Sequence, residues 1–265
     1  MKNSKSAVFR RQQSLLKILK EEKTIDVDTA ARRLNVSPTT IRRDLMMFES
    51  QHLVERFHGG AQLLTGTLRD EDTSSADRAF VDRDEKEAIA SYAAGLVEDG
   101  DTIFINSSST ALLMLDYLED KHIIVVTNNA NALSCPHDPK VTIILTGGEI
   151  YQRRRTLIGE FALQTLTKIN ADKAFLGIGG ISVAGGLTTS VLPETAINET
   201  MLHRCQGACY ILAPKRKIGC EHNFLSGTVD SFNTLITCKG ADSQEIQRLR
   251  EHGIEVVELE AESAE

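Results

Sequence analysis

Between residues 102 and 259, seven short apolar runs alternate with stretches of helical spacing, and this alternation limits the fold more than any other feature. The runs are 102–105, 123–127, 141–146, 174–177, 208–213, 234–237 and 255–259. The helical stretches include 110–119, 159–169, 193–204 and 243–252. Predominantly apolar strands suit a sheet covered on both faces, and strands separated by helices pair in parallel. The expectation is an α/β fold with an open, mainly parallel sheet, in which ligands bind beyond the carboxyl ends of the strands. Those ends are small and polar here. They read Asn106-Ser107-Ser108-Ser109-Thr110, Thr127-Asn128-Asn129, Thr146-Gly147-Gly148-Glu149, Gly177-Ile178-Gly179-Gly180 and Ala213-Pro214-Lys215-Arg216-Lys217-Ile218-Gly219. Hydroxyls and backbone N–H groups at a helix start can hold an anion. Five such ends describe a pocket for a small polyhydroxylated phosphate.

The first sixty residues differ. They carry a net charge of +5, whereas the whole chain of 265 residues carries −7. A basic head on an acidic body directs nucleic acid to the head alone. Ser37 can cap a helix, with Pro38 at its first position. Ile41, Leu45 and Phe48 then recur at core-facing spacing, while Thr39, Arg42, Arg43 and Met46 take the other side, with Thr40 near its edge. A second helix, capped by Asp28 and running through Ala30, Ala31 and Leu34, precedes it across the turn Asn35-Val36. Two helices so spaced form a helix-turn-helix. Residues 53–57, His58-Gly59-Gly60 and Ala61-Gln62-Leu63 read as strand, turn and strand, which makes a wing. The expected organisation is a winged helix-turn-helix domain over 1–63 (helix-turn-helix about 25–44), a polar, acidic linker over 64–83, and an α/β domain over 84–265 opening on a helix at 84–98.

Composition is that of a soluble globular chain, with no apolar run near the ~20 residues of a membrane helix and no signal-peptide pattern. Five scattered cysteines fit reduced thiols in the cytoplasm. Gly177-x-Gly179-Gly180 lacks the spacing of a dinucleotide fingerprint. Cys205 and Cys209, four apart on one helical face near His203, favour packing over metal binding. Arg153-Arg154-Arg155 fits a solvated loop slightly better than a phosphate contact. No Gly-x-Ser-x-Gly elbow suggests a hydrolase. A sugar-phosphate isomerase with an accessory nucleic-acid-binding head is the enzymatic alternative. It needs a general base, and Asn106 stands where a strand-end carboxylate would serve.

Thr40-Ile41-Arg42-Arg43-Asp44-Leu45 followed by Arg56-Phe57-His58-Gly59-Gly60-Ala61 resembles the DNA-binding head of the DeoR family of bacterial transcriptional regulators. The strand ends at 103–110, 125–129, 145–148 and 174–177 resemble the same family, and the likeness runs from about residue 8 to 258. It implies a regulator, usually a repressor of sugar catabolism, that uses no cofactor and is not an enzyme. Its body would resemble sugar-phosphate isomerases but sense a phosphorylated sugar as effector. It also implies a homo-oligomer, dimer or tetramer, on double-stranded operator DNA. The DNA contacts would be Ser37, Thr39, Thr40, Arg42, Arg43, Arg56 and His58. The effector pocket would use Ser107, Ser108, Ser109, Thr110, Thr127, Asn128, Gly147, Gly148, Glu194 and Lys217. Two segments depart from the family pattern. Asn106 stands where an aspartate is usual, and Lys215 and Arg216 stand where serines are usual, so a more positive pocket and a more negatively charged effector are expected.

Overall fold

The protein's structure, a computed structural model, describes residues 11–12, 14–15, 18–19, 22, 24–50, 54–57, 59–63, 76–152 and 154–261. The chain divides into two compact units, at 1–80 and 81–265.

In the first unit, strand β1 (Thr24–Asp26) leads into helix α1 (Val27–Arg33), and a turn with Asn35 in the left-handed region leads into helix α2 (Pro38–Ser50). The cap of α1 is Asp26, whose carboxylate accepts from the Thr29 N–H at 3.0 Å, and not Asp28 as expected. Two aspartates two residues apart offer the same cap in sequence; the entry of β1 decides between them. Strands β2 (Val54–Phe57) and β3 (Gly60–Leu63) pair antiparallel, and β1 adds to β3 on the other side. Gly60 lies where the three strands converge; a Cβ there would stand 2.4 Å from the Ile25 carbonyl oxygen. Ile41, Leu45 and Phe48 are buried against Ile25, Val27, Ala30, Val54 and Ala61, as the helical spacing required.

The second unit has a seven-stranded sheet, parallel throughout. Its strands are β4 (Thr102–Ile105), β5 (Ile123–Thr127), β6 (Val141–Leu145), β9 (Lys173–Gly177), β12 (Cys209–Leu212), β14 (Thr234–Cys238) and β15 (Glu255–Leu259), ordered β15-β14-β12-β9-β4-β5-β6. Side chains alternate between two cores. Ile103, Ile105, Val125 and Phe175 pack with Ile89, Ala90 and Ala93 of helix α3 (Ala76–Gly95). Phe104, Val126, Ala174 and Leu176 pack with helices α5 (Glu160–Thr167), α6 (Leu192–Arg204) and α7 (Ser243–Glu251). Helix α4 (Ser109–Leu112) is one turn continued by a 3₁₀ turn to Asp116, shorter than expected.

Two differences from expectation concern a helix start and several short strands. Helix α3 begins at Ala76, so residues 76–83 are helical rather than linker. Short antiparallel strands also decorate the sheet: β7 (Glu149–Tyr151) with β8 (Thr156–Ile158), and β10 (Gly180–Ser182) with β11 (Gly186–Thr189) and β13 (Phe224–Gly227).

The chain leaves β4 toward β5 and β6 on one side, and leaves β9 toward β12, β14 and β15 on the other. Adjacent strands whose connections depart in opposite directions open a crevice at their carboxyl ends, the general ligand position of such sheets.

Candidate functional site

In the first unit, Ser37 accepts the Thr40 N–H at 3.2 Å, and the two hydroxyls share a hydrogen bond at 2.8 Å. Both therefore serve the helix start. Asp44 is buried and accepts from Arg11 Nε at 2.7 Å, Arg11 Nη2 at 3.1 Å and Gln12 Nε2 at 2.9 Å, which locks the rotation of α2 about its axis. Thr39, Arg42, Arg43 and Met46 are consequently exposed on one stripe. Arg32 donates to Thr29, Arg33 pairs with Glu22, and Arg56 pairs with Glu49 at 3.1 Å. Among the described residues, Arg42 and Arg43 are the arginines of this unit with no polar side-chain partner. His58 lies outside the described residues.

In the second unit, Asn106 bridges the crevice. Its Nδ2 donates to the Gly177 carbonyl at 2.8 Å and its Oδ1 accepts the Gly177 N–H at 3.0 Å, so the amide imitates a strand partner where β4 and β9 diverge. Nδ2 also donates to Asn198 Oδ1 at 2.9 Å. A carboxylate could accept but not donate here. This gives the asparagine at a usual aspartate position a structural reason. Gly177 has no space for a side chain, since a Cβ would stand 1.9 Å from Ser108 Oγ. That hydroxyl accepts the N–H groups of Thr110 and Ala111 at 3.2 and 3.4 Å, so two of the donors expected to face an anion serve the cap.

Glu194 is buried at the start of α6. It accepts the Ser107 hydroxyl at 3.0 Å and the Thr156 hydroxyl at 3.3 Å, and Arg154 Nη1 stands 3.6 Å from its second oxygen. Thr127 Oγ1 accepts the Asn129 N–H, and Asn129 Nδ2 donates to the Ser107 carbonyl at 3.1 Å. Asn128 holds the β7–β8 hairpin, donating to the Leu157 carbonyl at 3.2 Å and accepting the Leu157 N–H at 2.7 Å. Its Oδ1, and Thr110 Oγ1, are buried with no hydrogen-bond partner among the described residues. Gly147 and Gly148 both have positive φ, and a Cβ on Gly148 would stand 2.4 Å from the Ile158 carbonyl oxygen. Ser109 is exposed. Lys217 Nζ donates to the Ile178 carbonyl at 2.6 Å, beside the end of β9.

Two expectations change. Lys215 does not simply add charge to the strand ends: its Nζ stands 2.9 Å from Glu85 Oε1 and its N–H donates to Oε2 at 3.1 Å, and Glu85 is buried. Cys205 and Cys209 do not share a helical face, because Cys205 ends α6 and Cys209 begins β12. Among the described residues, no cluster of three residues could hold a metal.

Sequence reading did not find Asn198 or Thr156 as parts of this network; it had Asn129 as a strand-end residue, and it read Arg154 as part of a solvated loop, whereas its guanidinium stands beside Glu194. Asn198 had a signal, four residues after Glu194 on one helix face. Thr156 had none, since its hairpin carries no periodicity.

Residues 11–67 match the family model described as the DeoR-like helix-turn-helix domain, and residues 81–239 match the DeoR C terminal sensor domain. The chain is 30% identical to the HTH-type transcriptional regulator GolR of Listeria innocua, over 94% of this chain and 97% of that protein. It is 28% identical to the glycerol-3-phosphate regulon repressor of Escherichia coli, over 93% of this chain and 97% of that one. Among solved structures, ribose 5-phosphate isomerase A of Methanocaldococcus jannaschii is similar at 16% identity and TM-score 0.36, over 51% of this chain and 54% of that one. With a helix-turn-helix and a sensor domain both matched, the chain belongs to the DeoR family of DNA-binding transcriptional regulators.

Proposed function

We propose that the protein represses a catabolic operon for a sugar or sugar derivative, and that a phosphorylated sugar metabolite at the strand ends releases it from its operator. The observation that carries the DNA half is the stripe on α2, where Arg42 and Arg43 stand exposed without a side-chain partner among the described residues. Guanidinium forks held away from carboxylates suit guanine edges and phosphates in a major groove. One of the two would read a guanine; the other, with Arg56 and His58, would hold phosphate. A homo-oligomer would set two heads on half-sites one or more turns apart, each about 34–36 Å. Its place of action would be the cytoplasm; among the described residues, no helix is long and apolar enough to cross a membrane.

The sensing half is supported by the polar crevice at β4 and β9. Among the described residues, Thr110 Oγ1 after β4 and Asn128 Oδ1 after β5 are buried acceptors without hydrogen-bond partners, which a hydroxylated ligand would satisfy. Lys217 would take the phosphate. Lys215 is paired with Glu85, which offsets one of the two added bases, and Arg216 keeps the expectation of a more negatively charged effector, such as a bisphosphate or a phosphorylated sugar acid. Against an isomerase stands Asn106, since an amide cannot abstract a proton.

The test is DNA affinity across a salt series, on the DNA upstream of the chain's own coding region, for the intact protein and for Arg42→Ala and Arg43→Ala. A base reader loses discrimination at one base pair; a phosphate contact weakens all sequences and lowers the salt slope by about one. Unchanged binding in both variants would remove α2 from the groove.

A further inference from the structure

We propose that Met46 reads a thymine, packing its thioether side chain against the C5-methyl group of that base in the operator half-site. The proposal rests on the placement of α2 in the major groove and adds a base identity to it.

Met46 is 56% exposed, whereas its neighbour Met47 is half-buried and receives the Gln12 amide at 3.6 Å. The Asp44 bonds to Arg11 and Gln12 fix which of the two adjacent methionines points outward. In the first unit, the large apolar side chains exposed among the described residues are Met46 and Phe57, and of these only Met46 lies on α2. At about 100° per residue, Met46 falls about 40° from Arg42 and about 60° from Arg43, one turn farther along, and about 20° from Thr39, about two turns farther along. It therefore lies inside the stripe that the two arginines bound, not at its margin.

Position gives the side chain its meaning. A single exposed methionine on a solvated helix is ordinary. One enclosed by two unpartnered guanidinium groups shares their ligand, and that ligand is a polyanion. The major groove offers donors, acceptors and one apolar group, the thymine methyl. An unbranched, polarizable thioether can adjust to a methyl group without a preformed pocket.

The experiment uses the intact protein and a DNA fragment from upstream of its coding region, trimmed to the footprint. Each thymine is replaced in turn by uracil, which removes the methyl and nothing else. The wild type should lose about fourfold in affinity at one thymine of each half-site, the factor that burying one methyl group supplies. Met46→Ala should bind thymine DNA about fourfold more weakly and be indifferent to uracil at that position, while Met46→Leu keeps the distinction. A wild type indifferent to uracil everywhere would overturn the proposal, as would a Met46→Ala protein that keeps the full uracil penalty. If Arg42→Ala or Arg43→Ala weakens binding while uracil has no effect, the groove placement stands and the thymine contact fails. If neither arginine variant matters, both readings fail together.

Discussion

On α2 the polar groups that carry the reading point outward and stand apart, whereas at the strand ends of the body they are buried and bonded to one another. Arg42 and Arg43 have no side-chain partner among the described residues, while Glu194 accepts two hydroxyls beside Arg154 and Asn106 makes three bonds across the crevice. DNA brings its own charges and base edges in fixed positions, so the protein needs donors held ready on a rigid helix. A small ligand at the strand ends would meet groups already bonded to one another, beside the unpartnered Asn128 Oδ1 and Thr110 Oγ1, and each hydrogen bond it replaced would shift a neighbour. The first arrangement suits recognition; the second suits response.

The comparison breaks most sharply at Gly177. Gly177→Ala would place a methyl 1.9 Å from Ser108 Oγ. It should destabilise the body by about 3 kcal/mol, the upper range of overpacking. Denaturant unfolding of the intact chain measures this, and a loss under about 1 kcal/mol would show that the Ser107–Thr110 loop yields easily. Next in size are Arg42→Ala and Arg43→Ala, where stability should be unchanged and the base-reading position should lose about 1–3 kcal/mol of DNA discrimination. If either variant unfolds more easily, that arginine belongs to the packing rather than to the partner. Asn106→Asp should cost about 1–3 kcal/mol at neutral pH, because a carboxylate would face the Gly177 carbonyl and Asn198 Oδ1 without a proton to donate. Its folded-state pKa would rise, so the deficit should shrink as pH falls and the carboxyl regains a proton. A deficit independent of pH would mean that Asn198 turns its amide to meet the acid.

The smallest effect lies in the head. The Thr29 N–H holds the Asp26 carboxyl below its ordinary pKa. A carboxylate depressed in the folded state adds stability above its unfolded pKa and loses it as pH falls through the folded value. The protection of the α1 amides in the intact chain, taken relative to intrinsic exchange at each pH, should fall slightly in acid. Asp26→Asn, which keeps the cap acceptor, should flatten that dependence. Equal acid sensitivity in both proteins would place its origin elsewhere.

What the sequence showed and what it hid follow from the same physics. Strands such as Thr102–Ile105 and Ile123–Thr127 are legible because uninterrupted apolar side chains end at Asn106 and Asn128. The rotation of α2 was legible from Ile41, Leu45 and Phe48. The start of α3 was hidden because residues 76–83 follow directly on the polar run 70–75 and alternate charges with Ala76, Ala79, Phe80 and Val81, so the helix start has no sharp boundary in composition. Strands of three residues such as Glu149–Tyr151 are too short to show a period of two. The partnerships of Glu194 with Thr156 and of Lys215 with Glu85 join residues 38 and 130 positions apart, and no local pattern marks them.

The most direct measurement of the central claim is DNA binding by the intact chain, at fixed salt, titrated with a panel of sugar phosphates. One phosphorylated sugar should weaken binding by about 5–150-fold, the usual range of allosteric coupling, and emerge from the reaction unchanged. If no sugar phosphate alters DNA binding, or if the chain turns one over, the account of the body as a sensor is contradicted.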